Sequence, residues 1–209
     1  MEESFPLLFA AVIGFTHAFE ADHLVAVSSI VTRRDQSGLA IKDGIFWGLG
    51  HTSTILLIGG LLILGKLVIP EQTFGMLEGL VGVMLICLGA FRLWKFLQAR
   101  EEEHTHHHRL AYGVGLIHGL AGSGAMVLLV MSNLASAWSS MLYLMVFGLG
   151  SVAGMLVAAG LFSLPFSKRW ARHPMVQPAL IWGSALLCIG YGSWVIYEQA
   201  TALTQIASL

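Results

Sequence analysis

Four residues near the start of the chain carry the chemistry to be explained. They are His17, Glu20, Asp22 and His23, in the run His17-Ala18-Phe19-Glu20-Ala21-Asp22-His23. The run lies inside an apolar stretch, where a carboxylate at the centre of a membrane helix costs about 2.5–3.5 kcal/mol. Two such groups so close together need compensating partners. Two further histidines interrupt apolar runs, His51 in Gly50-His51-Thr52-Ser53-Thr54 and His118 in Gly115-Leu116-Ile117-His118-Gly119. Imidazole and carboxylate together suit nickel, cobalt, zinc, iron or manganese better than calcium or magnesium, which favour all-oxygen sites. The competing chemistry is a proton relay or a buried ion pair, since intramembrane Asp, Glu and His also build proton pathways. Four histidines and two carboxylates in one cluster favour a metal site.

Helical geometry sorts these residues. At about 100° per residue, His17, Glu20 and His23 step along one ridge, and Asp22 points to nearly the opposite side. Either Asp22 is an outer or packing partner, or the helix is unwound here, an option that Gly14 and the broken helices of transporters keep open. Counted at about 1.5 Å per residue from the cytoplasmic helix ends, His23, His51 and His118 lie about 12–15 Å deep and His17 further out. Similar depth lets side chains from different helices meet. Thr52, Ser53, Thr54 and Ser123 either line a hydrated path or bond helix backbones.

The elements that must hold this cluster are membrane helices. Of 209 residues, 56% are hydrophobic and only 11% charged, against roughly 25% charged in a soluble domain. Mean hydropathy is +0.76, so most of the surface does not face water. A net charge of −1 gives no indication of a nucleic-acid partner. About 20 apolar residues cross the hydrocarbon core, and six segments of about that length are predicted: 5–31, 41–69, 75–97, 110–133, 139–166 and 175–197. All but Lys66 of the eleven Lys and Arg residues fall on one side: Arg33, Arg34, Lys42, Arg92, Lys95, Arg100, Arg109, Lys168, Arg169 and Arg172. That side is expected to be cytoplasmic, which puts both termini in the periplasm of a bacterial inner membrane. The acidic start Met-Glu-Glu-Ser-Phe-Pro is unlike a signal peptide, so the first apolar segment is expected to stay as a span.

The two halves match at a spacing of about 100 residues. Gly48-Leu49-Gly50 recurs as Gly148-Leu149-Gly150, Gly14 and His17 align with Gly115 and His118, and Cys87 aligns with Cys188. The expected fold class is an all-α membrane protein of about six transmembrane helices in two repeats. Residues 1–100 form the first three-helix repeat with the metal motif, 101–109 a His-rich cytoplasmic loop, and 110–209 the second repeat. Three spans per repeat invert the second copy, the usual plan of secondary transporters. Glycines at four-residue spacing, Gly44/Gly48, Gly115/Gly119 and Gly150/Gly154, are expected to pack helices closely. The loop residues His104, His106, His107 and His108 form either a metal-docking tract or a solvated loop.

The run from His17 to His23 resembles the His-Ala-x-Asp-Ala-Asp-His hallmark of the nickel/cobalt transporter (NiCoT) family and its shorter UreH-like relatives. Leu49-Gly50-His51-Thr52-Ser53 looks like the family's second motif, and the segment from His118 to Gly124 is similar to the UreH-like group. The resemblance implies that His17, Asp22 and His23 are essential for metal handling and that His51 assists. Glu20 departs from the family's first Asp by one methylene, and the longer transporters have eight spans rather than six.

The expected function is a secondary transporter of divalent transition-metal ions, nickel first and cobalt next, working in uptake. The metal set is His17, Glu20, Asp22, His23, His51 and His118, and Ni2+ or Co2+ is the transported substrate, with no permanent cofactor. The partners expected are the ion, the lipid bilayer and, in the cytoplasm, room for a metal acceptor protein. No P-loop is present, so ATP could act only through another chain. The rival readings are an exporter of the same ions and, from Cys87 and Cys188, a thiol–disulfide electron carrier. Neither cysteine lies in a Cys-x-x-Cys motif or beside a group that would activate a thiolate.

Overall fold

Backbone amides that enter lipid must bond within their own segment, which leaves long apolar runs one good solution, the α-helix. In the computed structural model, residues 4–31, 37–67, 70–98, 107–133, 136–164 and 175–207 are described, and they form seven helices. These are α1 (Ser4–His17), α2 (Ala21–Val31), α3 (Ser37–Gly65), α4 (Glu71–Leu97), α5 (His107–Asn133), α6 (Ala137–Ser163) and α7 (Val176–Ala207). The chain is all-helical among the described residues. Four helices, α3, α4, α6 and α7, are each long and apolar enough to cross a membrane. The pair α1–α2 passes the same test jointly as a fifth, bent by 55° at its break.

That break decides the choice left open for the segment 5–31, since the helix is interrupted between His17 and Ala21. Phe19 N–H bonds to Thr16 O at 2.9 Å and Glu20 N–H to His17 O at 3.0 Å, the short-range pattern that tightens and ends a helix. The Thr16 hydroxyl turns back onto Val12 O and Ile13 O. A new helix starts as Leu24 N–H bonds to Glu20 O, with Asp22 in its first turn, where the helix dipole favours an anion. The other helices keep their expected places within a few residues, except that α7 runs on to Ala207. Helix α3 stops at Gly65 rather than 69, because Lys66 turns left-handed (φ 49°) and Leu67 N–H reaches back to Leu62 O at 3.0 Å.

Helix α3 packs on α5 and α6, α1 on α6, and α4 on α7. Glycine makes the approaches close. A methyl group at Gly14 would run into the Phe147 carbonyl, and one at Gly115 into the Trp47 carbonyl. Gly50 and Gly150 face the carbonyls of Tyr112 and Ala11 in the same way. The four-residue glycine pairs therefore serve packing, as small residues do in membrane interfaces. Trp47, Ile55, Leu144 and Phe147 are fully buried between these helices, whereas Leu57, Leu64, Trp138, Leu149 and Leu187 point outward. An apolar surface this extensive is rare on a soluble monomer and marks a membrane protein.

Candidate metal centre

The break in the first span sets the geometry of the centre. His17 is the last residue of α1 and His23 lies in the first turns of α2, so the bend folds their rings together, with centroids 4.6 Å apart. The packing of α3 on α6, against which α1 also lies, and of α5 on α3 brings in the other two rings. His51 of α3 lies 5.2 Å from His17 and 5.3 Å from His23, and His118 of α5 lies 4.7 Å from His23. All four histidines are buried, none more than 8% exposed. The indole of Trp47 flanks His23 and His118.

Two carboxylates fix two of these rings. Nδ1 of His17 donates to Glu20 Oε1 at 2.8 Å, and Nδ1 of His23 to Asp22 Oδ1 at 2.9 Å. A carboxylate only accepts, so each pair places the proton on Nδ1 and leaves Nε2 with its lone pair. This is the arrangement that orients histidine ligands around metal ions. Nε2 of His17, Nε2 of His23 and both ring nitrogens of His51 and His118 have no hydrogen-bond partner. A buried polar atom left unpaired costs about 1–3 kcal/mol, so the cluster is expensive unless something occupies it.

The donor atoms converge in two overlapping triads. One nitrogen each from His17, His23 and His51 lie within 4.8 Å of one another, and so do single donors of Asp22, His23 and His118. Donors bound at about 2.1 Å to one ion are about 3–4 Å apart. Each triad is therefore a small contraction away from a coordination shell, and His23 belongs to both.

The bend overturns the single-ridge geometry. Glu20 is 59% exposed and belongs to neither triad, while Asp22, expected on the far side, stands among the rings, with Oδ2 3.7 Å from His118 Nε2. A rule of 100° per residue fails across a break. His51 and His118 join the cluster, and His17 meets them despite its greater counted depth. The hydroxyls of the second motif bond helix backbones: Thr52 to Gly148 O, Ser53 to Leu49 O, Thr54 to Gly50 O and Leu116 O. Ser123's side chain lies outside the described residues.

Other groups were misplaced or missed by sequence reasoning. Asp43 of α3, near the start of an expected span, is buried, 1% exposed, and accepts from His108 Nδ1 at 2.7 Å. The rest of the histidine tract, His104, His106 and the side chain of His107, lies outside the described residues. So do Arg33, Arg34, Arg100, Lys168, Arg169 and Arg172. Both cysteines are free, and the buried thiol of Cys188 donates to Val25 O. A cavity of about 270 Å3 adjoins the centre and is walled in part by His17, Glu20, Asp22, Glu78 and Glu198. Glu78 stands near the start of one expected span, and Glu198 one residue beyond the end of another.

Among known proteins, the urease accessory protein UreH of Bacillus sp. (strain TB-90) is 37% identical over 202 residues, covering 90% of this chain and 88% of its own. The chain belongs to the UreH-like short subgroup of the nickel/cobalt transporter family. The hydrogenase nickel incorporation protein HupN of Bradyrhizobium diazoefficiens is 37% identical over 59 residues, 28% of this chain and 16% of HupN. The chloroplast protein FOR GROWTH AND FERTILITY 2 of Arabidopsis thaliana is 26% identical over 199 residues, 85% of this chain and 52% of the plant protein. No family model and no solved structure matches the chain.

Proposed function

We propose that the chain is a secondary transporter that takes up divalent transition-metal ions, nickel first and cobalt next, across a bacterial inner membrane. The observation that carries this reading is the set of partnerless ring nitrogens on His17, His23, His51 and His118, gathered from four helices beside Asp22. Imidazole with one carboxylate matches ions of this class. The printed names of UreH and HupN, one tied to urease and one to nickel incorporation, support nickel.

In this reading the ion sheds water onto His17, His23 and His51. Asp22 and His118 offer the adjoining position, and Glu20 holds the His17 ring. The ion is substrate, and no resident cofactor is invoked. The broken pair α1–α2 counts as one span and the 27-residue helix α5 as another, which gives six spans in two inverted halves joined through the cytoplasmic residues 101–109. Support comes from contacts that recur when both partners are shifted by about 100 positions. Gly14 on Phe147 is mirrored by Gly115 on Trp47, Gly150 on Ala11 by Gly50 on Tyr112, and Gly48 on Val152 by Gly148 on Thr52. The basic residues put both termini in the periplasm. The halves rock about the site, and a cytoplasmic acceptor protein receives the ion.

Accumulation of radioactive nickel and cobalt in cells carrying the wild type, His23→Ala or an empty vector tests this. The expected result is uptake by the wild type alone. Equal accumulation in all three overturns metal transport, and less accumulation with the wild type than with the vector reverses the direction.

A further inference from the structure

The cavity beside the histidines carries chemistry that the proposed centre does not use. Four carboxylates stand in its wall: Glu20 and Asp22 from the break, Glu78 from α4 and Glu198 from α7. Among the described residues no Lys or Arg lines it. Glu78 and Glu198 lie within helices apolar enough to cross a membrane, where a carboxylate is tolerated facing a water-filled cavity. Gln199 of α7 donates to Glu78 Oε2 at 2.6 Å and so holds that carboxylate across the α4–α7 seam.

One further observation ties this wall to a cation. His17, only 8% exposed and with Nε2 unpartnered, is part of the same wall. The cavity therefore reaches an imidazole of the candidate centre. At about 270 Å3 it has room for an ion that keeps its water. Neither Glu78 nor Glu198 belongs to a group of three converging donors, so the wall suits an ion that still carries its water rather than one stripped onto ligands.

We propose that Glu78 and Glu198 form a capture vestibule that holds a hydrated divalent transition-metal ion and hands it to His17. The inference rests on the transport reading for its direction. Glu78 lies in the first third of α4 and Glu198 in the last third of α7, toward the side where that reading puts the periplasm, so the vestibule faces the incoming ion. Carboxylates lining a low-dielectric cleft raise the local concentration of a cation and its rate of entry, an effect that salt weakens. Glu20 links the two stages, because its carboxylate lines the cavity and holds the ring of His17.

Two experiments test the vestibule separately from transport. In cells, radioactive nickel uptake is measured against nickel concentration for the wild type, Glu78→Gln with Glu198→Gln, and Glu78→Asp with Glu198→Asp. The Gln pair is expected to raise KM about tenfold, with kcat held within about twofold, and to flatten the rise of KM with salt. The Asp pair keeps both charges and stays near the wild type. An unchanged KM and salt dependence in the Gln pair overturns the proposal. If the Gln pair does not reach the membrane, the wild type decides, since a KM indifferent to salt overturns it equally.

The second experiment uses the purified wild-type chain. Carbodiimide labelling of Glu78 and Glu198 is followed by mass spectrometry with and without nickel, at matched ionic strength. Nickel is expected to slow labelling of both about fivefold or more. Labelling indifferent to nickel overturns the vestibule even where uptake succeeds. Protection without uptake leaves the vestibule standing and removes the transport reading.

Discussion

The broken pair α1–α2 and the unbroken helix α5 each carry a glycine three residues before a buried histidine, Gly14 before His17 and Gly115 before His118. Each glycine rests on the carbonyl of a fully buried aromatic residue, Phe147 in one case and Trp47 in the other. Past the histidine the two segments part. Helix α5 runs on to Asn133, while α1 stops and the chain turns through residues 18–20 into α2. Both histidines of the broken pair have a carboxylate on Nδ1, whereas neither nitrogen of His118 is bonded. The same glycine–histidine frame thus yields an oriented, carboxylate-backed pair of rings in one place and, in the other, a single ring without a hydrogen bond, 3.7 Å from Asp22. The difference lies in the residues that follow, Phe19-Glu20-Ala21-Asp22-His23 against Leu120-Ala121-Gly122-Ser123-Gly124. Breaking a span is useful where a site needs several donors from one short stretch, since an intact helix spreads them around its circumference.

The strongest way to break this contrast is His23→Ala, which removes the ring shared by both triads. Nickel accumulation is expected to fall to that of an empty vector, while His118→Ala leaves a measurable remainder because the triad of His17, His23 and His51 is intact. Equal losses in the two variants would erase the distinction between the helices. Glu20→Gln comes next. It loses the charge behind His17, and a lost outer carboxylate typically costs about 10–100-fold in metal affinity. Calorimetric nickel titration of the purified variant checks it, and Glu20→Asp, the residue of the family motif, is expected to restore most of the affinity.

The shared frame predicts a smaller, matched pair of effects. Gly14→Ala and Gly115→Ala each force a helix off a carbonyl, at a cost of about 1–3 kcal/mol. Thermal melts in detergent should show similar losses for both. A loss confined to Gly14 would mean that the frame matters only where the span is broken. The smallest effect is expected from Cys87→Ser with Cys188→Ser. Serine keeps a donor for Val25 O, and uptake should persist within about twofold. Loss of uptake there would revive the thiol–disulfide reading.

Much of the metal cluster could be read before any coordinates. His51 and His118 were reached by counting rise along apolar runs, because depth in a membrane is close to a one-dimensional quantity. The mutual orientation of Glu20 and Asp22 was not reachable in that way. It depends on where the helix stops, and no proline marks the place. The stop is made by backbone bonds at Thr16 and His17 and by the Thr16 hydroxyl. Glu78, Glu198 and Asp43 were missed for another reason. They stand near span ends, where a carboxylate is unremarkable in a string of letters. Packing of α4 on α7 gives Glu78 its partner Gln199, and α5 brings His108 to Asp43.

His23 stands in both triads, and that sharing limits how many ions the two triads can hold together. Two divalent ions about 5 Å apart would repel by about 13 kcal/mol even at an effective dielectric of about 20, and one imidazole cannot serve both. Filling one position therefore empties the other. In the proposed transporter the two triads would then act as a turnstile, passing a single ion per cycle however many wait in the cavity outside.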